Sequence, residues 1–237
     1  MKLLTTGNPK TLKGEGMGYL TSILHLAPSR LSGYNVCPMA TDGCSAACLN
    51  TAGRGGIFKP GETTNMIQKA RIRKTKMFFE QRDAFMTQLV KEIRNAVKLA
   101  AKHGLTPVFR LNGTSDVRWE TIRVYDVTAP VSWRSIMDMF PDIQFYDYTK
   151  IVNRKNLPDN YHLTFSLAES NEADAVTALE NGMNVAAVFH KVPTEYLEHP
   201  VIDGDKSDLR FLDPKGVIVG LKAKGKAKKD TTSGFVK

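Results

Sequence analysis

The only three cysteines of the chain lie within twelve residues, Cys37-Pro-Met-Ala-Thr-Asp-Gly-Cys44-Ser-Ala-Ala-Cys48. An odd number excludes a closed disulfide framework. Thiolates are soft ligands that suit iron–sulfur clusters and zinc. A structural zinc takes four protein ligands, and a fully capped iron–sulfur cluster takes four cysteines. Three cysteines therefore leave one position open. The long Cys37–Cys44 arc can wrap one face of a cluster, with Gly43 relieving the turn. Cys44 and Cys48 are four residues apart, so one helical turn puts them on one side. The expected chemistry is a [4Fe–4S] cluster held by Cys37, Cys44 and Cys48, with one iron free for a small-molecule ligand. Backbone N–H groups near Gly53, Gly55 and Gly56 are expected to bond cluster sulfides or an anion, and Arg54 to add charge. Other readings of the same thiols are zinc completed by His25 or another imidazole, three reduced structural thiols, and a lone catalytic cysteine. No histidine sits at zinc-finger spacing, and a lone nucleophile leaves two cysteines unexplained.

The elements that must position this loop follow from the apolar pattern. Residues 1–18 read as an irregular lead-in, 19–221 as a single α/β domain containing the cysteine loop 27–56, and 222–237 as a basic tail. Strands are expected at Tyr19–Leu26, Thr106–Leu111, Ile143–Tyr148, Tyr161–Leu167, Met183–Phe189 and Gly216–Leu221. Helices are expected at Glu62–His103 (one or two), Ser132–Phe140 and Glu172–Asn181, with Gly104 and Gly182 as stops. Strands alternating with helices imply a largely parallel sheet. The fold class expected is α/β, a partial parallel (β/α)6 TIM-like barrel in a single domain.

Active sites of such sheets collect at the C-terminal ends of the strands. The polar residues there make Arg110, Asn112, Asp116, Asp147, Glu169 and His190 the candidate pocket residues. Trp119, Trp133 and the pair Phe78-Phe79 read as core, and Asp203, Asp205 and Asp208 as a turn, since the EF-hand pattern is not met.

The net charge is +9. Lys69, Arg71, Arg73, Lys74, Lys76 and Arg82 crowd one helix, and five lysines fall between Lys222 and Lys229. The charge fits a solvated face and a solubilising tail, or a nucleic-acid surface formed by the basic helix and the lysine tail. No run of about 18 apolar residues suggests a membrane span, and grouped thiols without an export signal suggest the cytoplasm.

The cysteine loop after a first strand, followed by about five strand–helix units, is similar to the radical S-adenosylmethionine enzymes. That resemblance implies a partial (β/α)6 barrel, a three-cysteine [4Fe–4S] cluster on Cys37, Cys44 and Cys48, and S-adenosylmethionine as a ligand. The family's C-x3-C-x2-C spacing is C-x6-C-x3-C here, Ala47 precedes the last cysteine, and Asn112-Gly113-Thr114 stands where a methionine-binding segment would be. Gly33-Tyr-Asn-Val-Cys37-Pro, Cys44-Ser-Ala-Ala-Cys48-Leu-Asn-Thr-Ala-Gly-Arg54-Gly and Phe109-Arg-Leu-Asn-Gly-Thr-Ser-Asp116 more closely resemble an uncharacterised gene-product family encoded mostly by bacteriophages. This implies a cytoplasmic place in an infected host cell and no established activity. A non-enzymatic iron–sulfur protein that binds nucleic acid or a host factor is the alternative function.

Overall fold

The computed structural model describes residues 1–6, 9–125 and 131–237. Its centre is a nine-stranded sheet. The strands are β1 (Leu4–Thr5), β2 (Tyr19–Leu24), β3 (Thr106–Arg110), β6 (Gln144–Thr149), β7 (Tyr161–Ser166), β8 (Val185–Phe189), β9 (Glu195–Tyr196), β10 (His199–Asp203) and β11 (Ile218–Lys222), and a small separate pair is formed by β4 (Val124–Tyr125) and β5 (Ser132–Trp133). The helices are α1 (Pro9–Glu15), α2 (Asp42–Ala46), α3 (Met66–Glu80), α4 (Arg82–Lys102), α5 (Ile136–Met139) and α6 (Glu172–Glu180).

The large sheet runs β1-β2-β3-β6-β7-β8-β11-β10-β9. All six expected strands are present, as β2, β3, β6, β7, β8 and β11, and each pairs in parallel with the next. β10 joins in parallel beyond β11, while β1 and β9 add antiparallel edges. The hydrogen-bonded order ends at β1 on one side and β9 on the other, so no closed barrel is formed.

Parallel strands need crossovers, and those crossovers cover both faces of the sheet. Consecutive residues Phe145, Tyr146 and Asp147 of β6 are therefore all buried. On one face α4 places Phe85, Leu89 and Ile93 against Phe109, Trp119 and Phe145. On the other, Tyr146 meets Phe211 at 5.4 Å between ring centroids. The long helical pattern is two helices that break at Gln81, whose ψ of 54° leaves the helical range. Gly104 and Gly182 follow their helices with φ of +66° and +77°, as the stop signals predict.

Several expectations are corrected. The lead-in holds β1 and α1. Residues 132–140 form β5 and a single helical turn, because Ser135 caps α5 from inside the stretch by accepting from Asp138 N. Trp119 and Phe78 are core, but Phe79 is exposed and stacks on Tyr34. The basic tail is docked. Ala223 and Ala227 are buried, Lys237 N donates to Val188 O at 2.8 Å, and Val236 bridges Val188 in parallel. The lysines between the alanines face outward. The basic helix is also partly used internally. Arg71 Nη1 donates to Asn50 Oδ1 at 2.6 Å and Lys74 Nζ to Leu3 O at 2.6 Å, leaving Lys69, Arg73 and Lys76 exposed. The segment Asp203–Asp208 is the expected turn, with Asp205 N donating to Asp203 Oδ1.

Candidate functional site

At the C-terminal edge of the sheet lies a cavity of about 230 Å³. One wall is the cysteine loop, with Cys37, Cys44 and Cys48. The opposite wall carries Arg110, Tyr148, Lys150 and Ser166 from β3, β6 and β7, and the docked C-terminal segment closes it with Ala227 and Phe235. Most of the lining is apolar, including Ala47, Leu49, Ala186, Val188 and Leu221.

Local chemistry folds the loop so that its thiols meet. Thr41 is the N-cap of α2 and accepts from Cys44 N at 3.2 Å. Glu169, just past β7, accepts from Thr41 Oγ1 at 2.7 Å and from Gly43 N at 2.6 Å. A Cβ on Gly43 would lie 2.8 Å from that carboxylate and 2.7 Å from Ser233 Oγ, so only glycine fits there. Cys37 Sγ accepts from Ser29 N at 3.3 Å, and Cys48 Sγ from Asn50 N at 3.5 Å. All three thiols are free and half-buried. Burial pushes the Cys37 thiol up to about 11, offset in part by the Ser29 N–H and reinforced by the other two cysteines. Burial also raises Cys48, while Asn50 N–H, Arg71 and Lys150 pull it down. Without a bound cation both stay protonated at neutral pH. Among the described residues no three His, Cys, Asp or Glu side chains are grouped to hold a single metal ion. A lone zinc with Zn–S near 2.3 Å would need its sulfurs within about 4 Å of one another.

The six candidate pocket residues separate. Arg110, Asn112 and Asp116 line the cavity; Asp147, Glu169 and His190 do not. Asn112 is a turn residue. Its Oδ1 accepts from Ser115 Oγ, Val117 N and Trp119 Nε1, and its Nδ2 donates to Val117 O. Asp147 lies beneath the site, fully buried, where it takes Asn112 N at 2.7 Å and Tyr161 OH at 2.9 Å. His190 is exposed and its Nε2 pairs with Asp230 O. Arg54 is also exposed and outside the lining; its carbonyl accepts from Asn65 Nδ2. The glycines beside it serve close packing instead of anion binding: a Cβ on Gly55 would lie 2.5 Å from Asn50 O, and one on Gly56 2.1 Å from Thr51 O. His25 does not line the cavity either. Burial and the neighbouring Arg71, Arg110 and Lys74 push it down to about 3.

Comparison with protein-family models matches residues 2–237 to the family described as Gene product 88. The chain belongs to that family. This agrees with the bacteriophage gene-product resemblance of the cysteine and Phe109–Asp116 segments. No curated protein and no solved structure matches the chain, and the radical S-adenosylmethionine resemblance gains no support. Among the described residues no helix is long and apolar enough to cross a membrane.

In this Gene product 88 chain the residues that sequence reasoning missed are Lys150, Ser166 and Phe235. Lys150 Nζ donates to Ser166 Oγ at 2.8 Å and lies 5.9 Å from the Phe235 ring centroid. Position at a strand end was the available signal for the first two. Glu169 acts by holding the loop. Burial raises its pKa, but the bonds from Thr41 and the N–H groups outweigh that and keep it below the usual carboxylate range. Glu169→Ala is expected to destabilise the fold by about 2 kcal/mol through lost charge-assisted bonds. Amide exchange should quicken at 41–48, and unchanged protection there would show that the loop is held by other contacts.

Proposed function

We propose that this is an iron–sulfur protein in which Cys37, Cys44 and Cys48 hold a [4Fe–4S] cluster and leave one iron facing the cavity. The observation that carries the reading is the convergence of the chain's only three thiols on one wall of a largely apolar cavity at the strand ends. The donor set suits iron: soft sulfur, no oxygen or imidazole grouped with it, and a spread wider than one small ion takes. Thiols whose pKa is raised by burial and by each other need a strongly cationic group to become ligands. Arg71 and Lys150, beside Cys48, offset the negative charge of the thiolates. The sequential order of the six parallel strands supports, as part of this proposal, a curved partial (β/α)6 barrel with the cluster at its mouth.

An open iron supplies either an electron or a Lewis-acidic coordination position. The residues of the chain orient a ligand against it and keep water out. S-adenosylmethionine is one ligand to test. Protein expressed and reconstituted without oxygen should be brown and carry about four irons and four sulfides per chain. Cys→Ser at any of the three positions should lower that content sharply. Electron paramagnetic resonance of the reduced protein, with and without S-adenosylmethionine, then reports whether that molecule reaches the iron. One tightly bound zinc per chain, or a colourless iron-free preparation, would overturn the cluster reading. A second reading, a non-enzymatic protein that binds nucleic acid or a host factor, has its support in exposed Lys69, Arg73 and Lys76 on one face of α3. Affinity that falls steeply with salt would mark that role.

A further inference from the structure

We infer that the cavity takes an anionic small molecule with an apolar body, its carboxylate or phosphate seated at Lys150. The inference goes beyond the cluster and does not depend on iron being bound. The charges on the wall carry it. Both carboxylates that line the cavity are already opposed by arginines: Asp208 lies 3.1 Å from Arg110 Nη1, and Asp116 lies 3.5 Å from Arg154 Nη1. Asp116 also accepts Lys150 N through its other oxygen at 2.8 Å. At the mouth Lys224 is paired with Asp205. Cys37 and Cys48 are neutral thiols in the metal-free chain, because burial raises both.

Two cations are left over. The Lys150 ammonium donates to the neutral Ser166 hydroxyl, and Lys222 stands exposed at the rim. Among the described residues neither lies in an ion pair with a carboxylate. A half-buried ammonium bonded to one hydroxyl still has donor capacity for a charged acceptor. Beside it the wall is apolar, formed by Ala186, Val188, Leu221 and Phe235. One anionic end and an apolar remainder satisfy both halves of this surface.

The test uses the full chain, reduced and metal-free, in calorimetric titrations with octanoate, octyl phosphate and neutral octanamide. Both anions, or the one whose head group matches the natural ligand, should bind at least about tenfold tighter than octanamide, as a charge-assisted hydrogen bond requires. Whichever anion binds tighter separates a carboxylate ligand from a phosphate one. Lys150→Met should remove that advantage and leave octanamide affinity unchanged, and Lys150→Arg should retain most of it. Lys222→Met, at an exposed position, should weaken both anions less. The proposal falls if octanamide binds as well as the anions, if no anion binds, or if Lys150→Met changes only iron retention. Because the titration is done without iron, its outcome is separate from the iron count that decides the cluster reading.

Discussion

Arg154→Met is expected to destabilise the protein by about 3–5 kcal/mol, the range seen when one partner of a buried ion pair is removed. Arg154 has only 2% of its side chain exposed, and its partner Glu120 only 1%. The guanidinium spans both oxygens of Glu120, with Nε donating at 3.1 Å, and its Nη1 faces Asp116. It also lies over the Tyr161 ring at 5.4 Å. Methionine fills much of the volume but leaves two carboxylates in a low-dielectric interior with no counter-charge, which costs far more than the lost hydrogen bonds alone. The effect reaches the site, because Asp116 fixes the backbone N–H of Lys150. Urea unfolding at neutral pH measures the loss. Glu120→Gln combined with Arg154→Met should cost clearly less than the two single changes added together, since the double variant removes one of the stranded charges. Strict additivity, or a loss near zero for Arg154→Met, would mean that water reaches these groups and the pair is not isolated.

How far the sequence led can be read from particular residues. The six parallel strands were legible because buried strands of a covered sheet are short apolar runs, and Val185–Phe189 and Ile218–Lys222 have that form. The meeting of the three thiols was legible from spacing alone. The hairpin of β9 and β10 was not, because Glu195–Tyr196 and His199–Asp203 are short, polar edge segments with no clear alternation. The docking of 222–237 was hidden for a different reason. Its anchors are Ala223 and Ala227, whose small side chains give little hydropathy signal among five lysines. Polar residues at strand ends suggested a ring of candidates, yet Asn112, Asp147 and Glu169 turned out to build the turn, the floor and the loop clamp. A polar side chain near a site is as often consumed by backbone donors as presented to a ligand, and only the partner atoms tell the two apart.

Asp147 provides the second large effect, and its sign follows from linkage. Full burial raises its pKa to about 7; Arg110, Asn112 N–H and Tyr161 OH pull the other way without cancelling it. In the unfolded chain the same carboxyl titrates near 3.8. Between these values the native state binds the proton and the unfolded state does not. The stability tied to Asp147 is therefore fully present below about 3.8 and is lost as pH rises through about 7. From pH 5 to pH 8 the loss should amount to about 2–3 kcal/mol, since each pH unit below the folded value removes about 1.4 kcal/mol. His25 runs in the opposite sense. Held near 3 in the fold, it withdraws stability as pH falls below 6.5, so the wild-type profile alone would blur the two. The difference between wild type and Asp147→Asn isolates one group. Asparagine can still accept from Asn112 N and has no charge to bury. The variant should gain on the wild type by that amount as the pH of urea unfolding is raised from 5 to 8. A difference that stays constant across the range would mean that Asp147 is ionised throughout, with Arg110 and Arg154 supplying the compensation that burial removes.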